Sequence, residues 1–310
     1  MGSMRLRAAG LAGAALFVLG ACSSTGGASV APASVAPASV APASVAPASV
    51  APASAEPTSA GIVAPPAIAA AGKIVWCSDV SYAPEEFFKA DGTTAQGSDI
   101  DIANDIAKRM GVTAEIDNTG FDGIIPALNA SKCDLIISGM NDTPERAKEV
   151  DFVDYLKVGQ GLLVPAGNPK GIKTLADLSG KTVAVQLGTT NKDALDAANV
   201  LLEAAGKPKM EIQTFQLDTD AFQQLSLGRV DAFSTDSPVV AYYGSLPENA
   251  GKFEVGGTPI EPIPIGIAVR KTDTELKAAV QAAIDAMYAD GTMKSIVDTW
   301  GMTDAVVLLK

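Results

Sequence analysis

The chain has 310 residues, with 23 Lys and Arg against 35 Asp and Glu and a formal net charge of −12. That length allows two domains with a substantial core, and the acidic balance argues against a nucleic-acid partner, whose phosphates need clustered cations. The absence of His removes His-based triads and His-rich zinc sites, and three cysteines without C-x-x-C spacing (Cys22, Cys77, Cys133) give neither a disulfide framework nor a Cys-only zinc site.

The N-terminus reads as a targeting segment. Arg5 and Arg7 precede an uncharged run over residues 8–19, too short to span a bilayer. The run ends in Leu19-Gly20-Ala21-Cys22, which resembles a bacterial lipobox. Residues 1–21 are therefore expected to be a lipoprotein signal peptide, with Cys22 carrying the lipid that holds the protein to the outer face of the cell membrane. An ordinary signal peptide with a chance Cys is the alternative. Met1-Gly2-Ser3 before Met4 resembles an expression scar and carries no weight.

Residues 28–52 are five copies of ASVAP, followed by the decayed Ala53-Ser54-Ala55-Glu56-Pro57. Pro at every fifth position blocks helix and strand, and the small side chains cannot bury enough area to offset chain entropy. Residues 22–72 are expected to be a disordered tether with polyproline-II character. At ~3.1 Å per residue, its roughly fifty residues reach on the order of 150 Å if extended, enough to clear a cell-envelope layer. A glycosylated stalk stays open.

From Lys73 on, strand and helix signals alternate. A strand at 74–77 is followed by a helix from about Asp99, with Ile102, Ala103, Ile106, Ala107 and Met110 on one face and Gly111 as its stop. A strand at 113–116, a helix around 124–130 and a strand at 135–137 complete a first set. A second set has strands at 182–185, 211–213 and 230–233 and helices at 191–205 and 221–227. The last stretch carries a capping box, Thr272-x-x-Glu275, and a helix with Leu276, Val280, Ala283, Ile284 and Met287 in phase. Two alternating sets mean two α/β lobes with mostly parallel sheets.

In such sheets ligands sit beyond the carboxyl ends of the strands. The residues there are Ser78-Asp79-Val80-Ser81-Tyr82, Ser138-Gly139-Met140-Asn141, Gln186 to Asn191, and Ser234-Thr235-Asp236. They suit a binding cleft, with no nucleophile–base–orienter set and no phosphate loop.

Several stretches then occur in a telling order. They are Tyr82-Ala83-Pro84, Asp99-Ile100-Asp101-Ile102-Ala103, Phe121-Asp122-Gly123-Ile124-Ile125-Pro126-Ala127-Leu128, the segment 138–146, Gly188-Thr189-Thr190, Gly228-Arg229-Val230-Asp231-Ala232, Thr235-Asp236 and Ala289-Asp290-Gly291-Thr292. Across residues 73–310 this set resembles the solute-binding proteins of polar amino acid ABC importers, family 3, with the two-lobed type II periplasmic binding fold. The resemblance implies hinge crossings at 156–160 and 261–265, a discontinuous lobe 1 (73–155 and 266–310) and a lobe 2 at 161–260. It also implies a monomer, an amino acid ligand, and delivery to a permease with a cytoplasmic ATPase. No cofactor, metal or catalytic residue is expected.

By that resemblance Arg146, after Thr143 as helix cap and Pro144, forks onto the ligand carboxylate, and Thr189 and Thr190 add a helix N-terminus. Asp236 accepts the ammonium with help from Gly139 and Asn141, beside Ser138. Asp236 before Ser237-Pro238 could instead merely cap a helix. Tyr82 and Phe121 would sandwich the side-chain stem, and Asp79, Ser81, Gln186 and Thr235 would face the ligand side chain, favouring a basic or glutamine-like amino acid. Glu85 and Ser98 replace aromatics common in the family and are expected to pair or to lie exposed to solvent; Glu85 could otherwise reach a basic ligand. Cys77 and Cys133 are expected to be free, because several residues of stagger at ~3.3 Å each exceed the ~7 Å Cα limit for a disulfide. Three rival functions are a related amine or opine receptor, a sensory input, and a stalked structural protein. A cyclohexadienyl dehydratase-like enzyme is less favoured, since Val239 stands where such enzymes carry an acid.

Overall fold

The computed structural model describes residues 61–260 and 262–310. The expected signal peptide, Cys22 and the repeat segment to residue 60 lie outside the described residues.

The first described element shortens the expected tether. A helix α1, Pro66–Ala71, has Pro at its first position and ends at Gly72 in the left-handed region, and it buries Ile68 in the core. Chain order then gives β1 (Lys73–Ser78), β2 (Ser81–Tyr82), β3 (Glu86–Phe88), β4 (Ala95–Gln96), α2 (Ser98–Arg109), β5 (Thr113–Asn118), α3 (Ile124–Asn129), β6 (Leu135–Ile136) and β7 (Asp151–Val158). Next come β8 (Gln160–Pro165), β9 (Thr182–Gln186), α4 (Thr190–Ala204), β10 (Glu211–Phe215), α5 (Asp218–Ser226), β11 (Ala232–Asp236), α6 (Ser237–Ser245) and β12 (Phe253–Val255). The chain ends with β13 (Ile263–Val269), α7 (Thr274–Ala289), α8 (Thr292–Thr299) and β14 (Val306–Leu308).

Two main sheets result, ordered β14-β7-β13-β6-β1-β5 and β10-β9-β11-β8-β12, and they define lobes 1 and 2. The mostly parallel sheets expected from sequence describe β5, β1 and β6 in one lobe and β10, β9 and β11 in the other. Each parallel core is widened by antiparallel strands: β13, β7 and β14 in lobe 1, β8 and β12 in lobe 2. The first crossing between sheets is a single residue, Gly159, between β7 and β8. A side chain there would meet the Ile260 carbonyl at 2.6 Å, so the crossing backbones can run together only if residue 159 is Gly. The small sheet β2-β3-β4 had no counterpart in the sequence reading.

Lobe 1 packs α1, α2, α7 and α8 over Trp76, Leu135, Ile137, Tyr155 and Ile267. In lobe 2, β9 alternates with period two: Val183 and Val185 join one cluster and Ala184 the other, so the sheet is covered on both faces. The capping box expected at Thr272 does not form; α7 starts one residue later, and the Thr272 hydroxyl bonds to Asp273 instead.

Cys77 and Cys133 are joined in a disulfide, with Cα atoms 5.7 Å apart, which corrects the expectation of free thiols. That expectation treats Cys133 as an extension of the strand at 135–137. The strand β6 starts only at Leu135, and Cys133 lies in the turn after α3, which folds it back over β1 beside Ile124, Ala127 and Leu128.

Candidate functional site

The C-terminal ends of β1, β6, β9 and β11 converge on one cleft between the lobes, about 310 Å³ counting its mouth. Eleven of the thirteen expected ligand residues line it: Asp79, Tyr82, Phe121, Ser138, Gly139, Asn141 and Arg146 from lobe 1, and Gln186, Thr189, Thr190 and Asp236 from lobe 2. Thr235 does not. Because β11 runs on to Asp236, period two turns Thr235 to the other face, where its hydroxyl meets Asp218 at 3.1 Å. Ser81 likewise faces Asp218, accepting its N–H at 3.2 Å. Glu86 lines the cleft without having been expected, and Asn191, which belongs to one of the strand-end stretches, lines it without an assigned role. Asn191 directly follows Thr190 at a helix start. Glu86 is the register partner of Tyr82 across β2 and β3, a signal visible only once that hairpin is known.

Arg146 is the one cation among the described lining residues. It sits in a short 3-10 turn whose cap position is Glu145, not in the α-helix expected with Thr143 as cap, though the Arg146 N–H donates to the Thr143 hydroxyl at 3.2 Å. Its guanidinium donates to the Asn141 carbonyl at 2.9 Å and to the Gly188 carbonyl of lobe 2 at 3.0 Å, and lies 5.3 Å over the Phe121 ring. Burial pushes its pKa down, opposed by Asp193, Asp236 and Tyr82.

Asp236 precedes α6 but makes no side-chain cap. Its carboxylate instead accepts Tyr82 Oη–H at 2.6 Å and Asn191 Nδ2–H at 2.7 Å. Burial raises its pKa above the usual aspartate value, opposed by those two hydrogen bonds and by Arg146. The Tyr82 ring crosses close over Gly139, where φ is +48° and a Cβ would stand 2.7 Å from the ring; only Gly allows both.

Two further contacts tie the lobes. Gln186 Nε2 donates to Asp79 Oδ2 at 2.8 Å, and Thr190 Oγ1 donates to Asn141 Oδ1 at 2.6 Å. Gln160, just past the crossing, donates to Thr190 at 2.8 Å. Thr189 caps α4, accepting from the Lys192 N–H. Asp79 Oδ2 also accepts the Phe121 N–H at 2.9 Å, fixing the loop that carries that ring. Burial raises the Asp79 pKa, against hydrogen bonds from Ser81, Phe121 and Gln186.

Among the described residues, four lining atoms are buried without a protein partner: Asp79 Oδ1, Glu86 Oε2, Asn141 Nδ2 and Asn191 Oδ1. Glu85 and Ser98 do not pair as expected. Both are buried, neither lines the cleft, and their side-chain oxygens have no protein partner.

The arrangement offers one cation and a carboxylate from opposite lobes, a second carboxylate at the lobe 1 floor, and two aromatic rings. It can desolvate and neutralise a small zwitterion with a polar side chain.

Comparison with known proteins agrees. The family described as bacterial extracellular solute-binding proteins, family 3, matches residues 74–303. The histidine-binding periplasmic protein of Salmonella typhimurium is 33% identical over 225 residues, covering 71% of this chain and 84% of that protein. An ancestral arginine-binding protein solved bound to arginine is 39% identical with a TM-score of 0.68, covering 74% of this chain and 98% of that one. The ancestral amino acid-binding protein AncCDT-1, a precursor of cyclohexadienyl dehydratase, matches at 39% identity and TM-score 0.68, over 76% of this chain and 97% of that one. The fold is the two-lobed α/β fold of these periplasmic amino acid-binding proteins. With the family matched along most of its length, the chain belongs to the bacterial extracellular solute-binding proteins, family 3.

Proposed function

We propose that the protein is an extracytoplasmic receptor that captures a cationic L-amino acid, with L-arginine as first candidate, and delivers it to an ABC permease with its cytoplasmic ATPase. The observation that carries this reading is the placing of Arg146 and Asp236 across one cleft with Asp79 at its floor. Arg146 takes the ligand carboxylate and Asp236 the ammonium, so a bound zwitterion bridges the lobes and favours their closed arrangement. Asp79 Oδ1, buried and without a protein partner, is a ready acceptor for a cationic side chain. The likeness to an arginine-binding protein supports the same ligand class.

The Cys77–Cys133 disulfide supports a protein that matures outside the reducing cytoplasm. In this reading Cys22 carries a lipid anchor and the repeat segment tethers a monomeric receptor to the outer face of the membrane. The protein acts by binding and not by catalysis: Val239, buried three residues after Asp236, stands where a dehydratase-like acid would be.

The test is calorimetric titration of protein unfolded and refolded to strip ligand carried from the host, against each standard amino acid. Binding of arginine or another basic amino acid at about micromolar Kd or tighter, the affinity expected of ~8 kcal/mol, supports the reading. Glutamine alone would move the ligand to the amide class, and silence across the set would sink the free amino acid as ligand.

A further inference from the structure

The floor of the cleft rests on two buried carboxyl groups that the ligand-binding scheme does not use. Glu86 on β3 and Asp99 in the first turn of α2 are both fully buried. Asp99 accepts the Tyr155 hydroxyl from β7 at 2.8 Å and the Gly139 N–H at 2.8 Å. Glu86 Oε1 accepts the Ser138 hydroxyl at 2.8 Å, and Ser138 Oγ in turn accepts the Asp79 N–H at 3.0 Å. Each acid therefore holds one of two consecutive cleft residues from behind.

Because Ser138 and Gly139 are adjacent in the chain, the two acids that hold them lie close together beneath the cleft, and Asp99 is the charged group that acts most strongly on Glu86. The other titratable groups around them are Glu85 on the β2–β3 turn, Asp79 at the end of β1 and Tyr155 on β7, with no cation among them. Two ionised carboxylates close together there would repel with nothing to offset them. Glu86 Oε2 has no partner as an acceptor. A proton on Glu86 removes both problems at once, since the acid O–H donates to Asp99 while Oε1 still accepts from Ser138. The raised pKa of each group agrees, with burial the main cause.

We propose that Glu86 and Asp99 hold one proton between them, and that this acid–carboxylate pair positions the peptide joining Ser138 and Gly139 for the ligand. The N–H and carbonyl of a trans peptide point in opposite directions. With the Gly139 N–H pinned to Asp99, the Ser138 carbonyl is turned away from the buried pair. The Ser138 hydroxyl is likewise committed as a donor to Glu86, which leaves it an acceptor toward Asp79 and the cleft. Glu86 and Asp99 are positioning residues. The inference rests on this cleft being the ligand site.

The test uses the full chain and its Glu86→Gln and Glu86→Ala variants. Infrared difference spectra of ligand-free protein near neutral pH, wild type minus Glu86→Gln, are expected to show a carboxylic-acid C=O stretch. Gln reproduces the pattern, donating to Asp99 and accepting from Ser138, so Glu86→Gln is expected to bind L-arginine within about threefold of wild type, and Glu86→Ala, which drops both bonds, at least about tenfold more weakly. Only carboxylate bands in the difference spectrum would overturn the shared proton. Glu86→Gln as weak as Glu86→Ala, or Glu86→Ala as tight as wild type, would overturn the positioning role. Should Glu86→Ala fail to fold, the infrared result and the Glu86→Gln affinity still decide. Wild-type protein that ignores L-arginine would instead remove the ligand proposed above, and the infrared arm would test the pair regardless.

Discussion

At the Arg146–Asp236 end of the cleft, opposite charges come from different lobes, and both Asp236 oxygens and both terminal guanidinium nitrogens of Arg146 have protein partners. At the Asp79 end, a carboxylate of lobe 1 keeps one buried oxygen without a partner among the described residues. The first end is preset for what every α-amino acid shares, a carboxylate and an ammonium. The second is unfinished as a hydrogen-bond system, and the ligand side chain has to finish it. An apolar side chain would leave that buried acceptor unmet, at about 1–3 kcal/mol. Rejection at this end thus comes from unmet polar groups as much as from shape.

The sharpest way to break this division is to remove one charge from the shared end. Arg146→Ala and Asp236→Ala each leave a ligand charge desolvated without its partner. That loss is expected to cost about 2–5 kcal/mol, roughly thirty- to several-thousand-fold in Kd, for every amino acid that binds. Calorimetry across several ligands checks it. A variant that lost one ligand and kept the others would show that this end discriminates after all.

Asp79→Asn addresses the other end. The amide keeps Asp79's place beside Gln186 and the Phe121 N–H but removes the charge. Basic ligands are expected to weaken about ten- to a hundredfold, in line with ~1.5–3 kcal/mol for a charge-assisted bond, while glutamine changes far less. Equal weakening of both would mean that Asp79 holds the loops and not the ligand.

Sequence and structure part company in the same uneven way. The shared end was legible because its residues sit in ordered motifs, and strand–helix alternation located the strand ends that carry them. Glu86 was hidden because it enters the cleft through a hairpin of very short strands, pairing with Tyr82 in a register no periodicity announces. Cys133 misled because it reads as part of the strand that begins at Leu135, whereas it lies in the turn before that strand, so the turn, not the strand, sets its distance to Cys77. The segment at 66–71 was hidden by composition: Ala- and Pro-rich sequence reads as tether, yet Pro66 starts a helix turn and Ile68 reaches the lobe 1 core. Ser98 and Glu85 show the converse, a polar pair on paper that stays unpaired.

Acid distinguishes the two ends by a smaller amount. Burial raises Asp236 and Asp79 above the ordinary 3.8. Each must be ionised to hold a ligand cation, so affinity falls as pH drops through these raised values, sooner than for exposed aspartates. The expected loss is up to about tenfold per pH unit for each group that must give up a proton to bind. Asp79→Asn should make the acid limb for a basic ligand shallower and leave the Asp236 part intact. Affinity that stays flat between about pH 7 and pH 4 would break the assignment of Asp236 to the ammonium.

The smallest effect tests which face of β11 belongs to the cleft. Were the strand to end at Phe233, Thr235 would stand in a loop, free to turn to the ligand side chain. With the strand running to Asp236, the two neighbours point to opposite faces, and Thr235 bonds to the buried Asp218, whose other oxygen has no protein partner. Thr235→Val keeps the shape and drops that one hydrogen bond, so stability is expected to fall by about 1 kcal/mol in denaturant unfolding, with ligand affinity changed less than about threefold. A tenfold loss of affinity with stability untouched would put Thr235 back at the side-chain end, and the boundary between what recognises the ligand and what holds the lobe would have to move one residue along the strand.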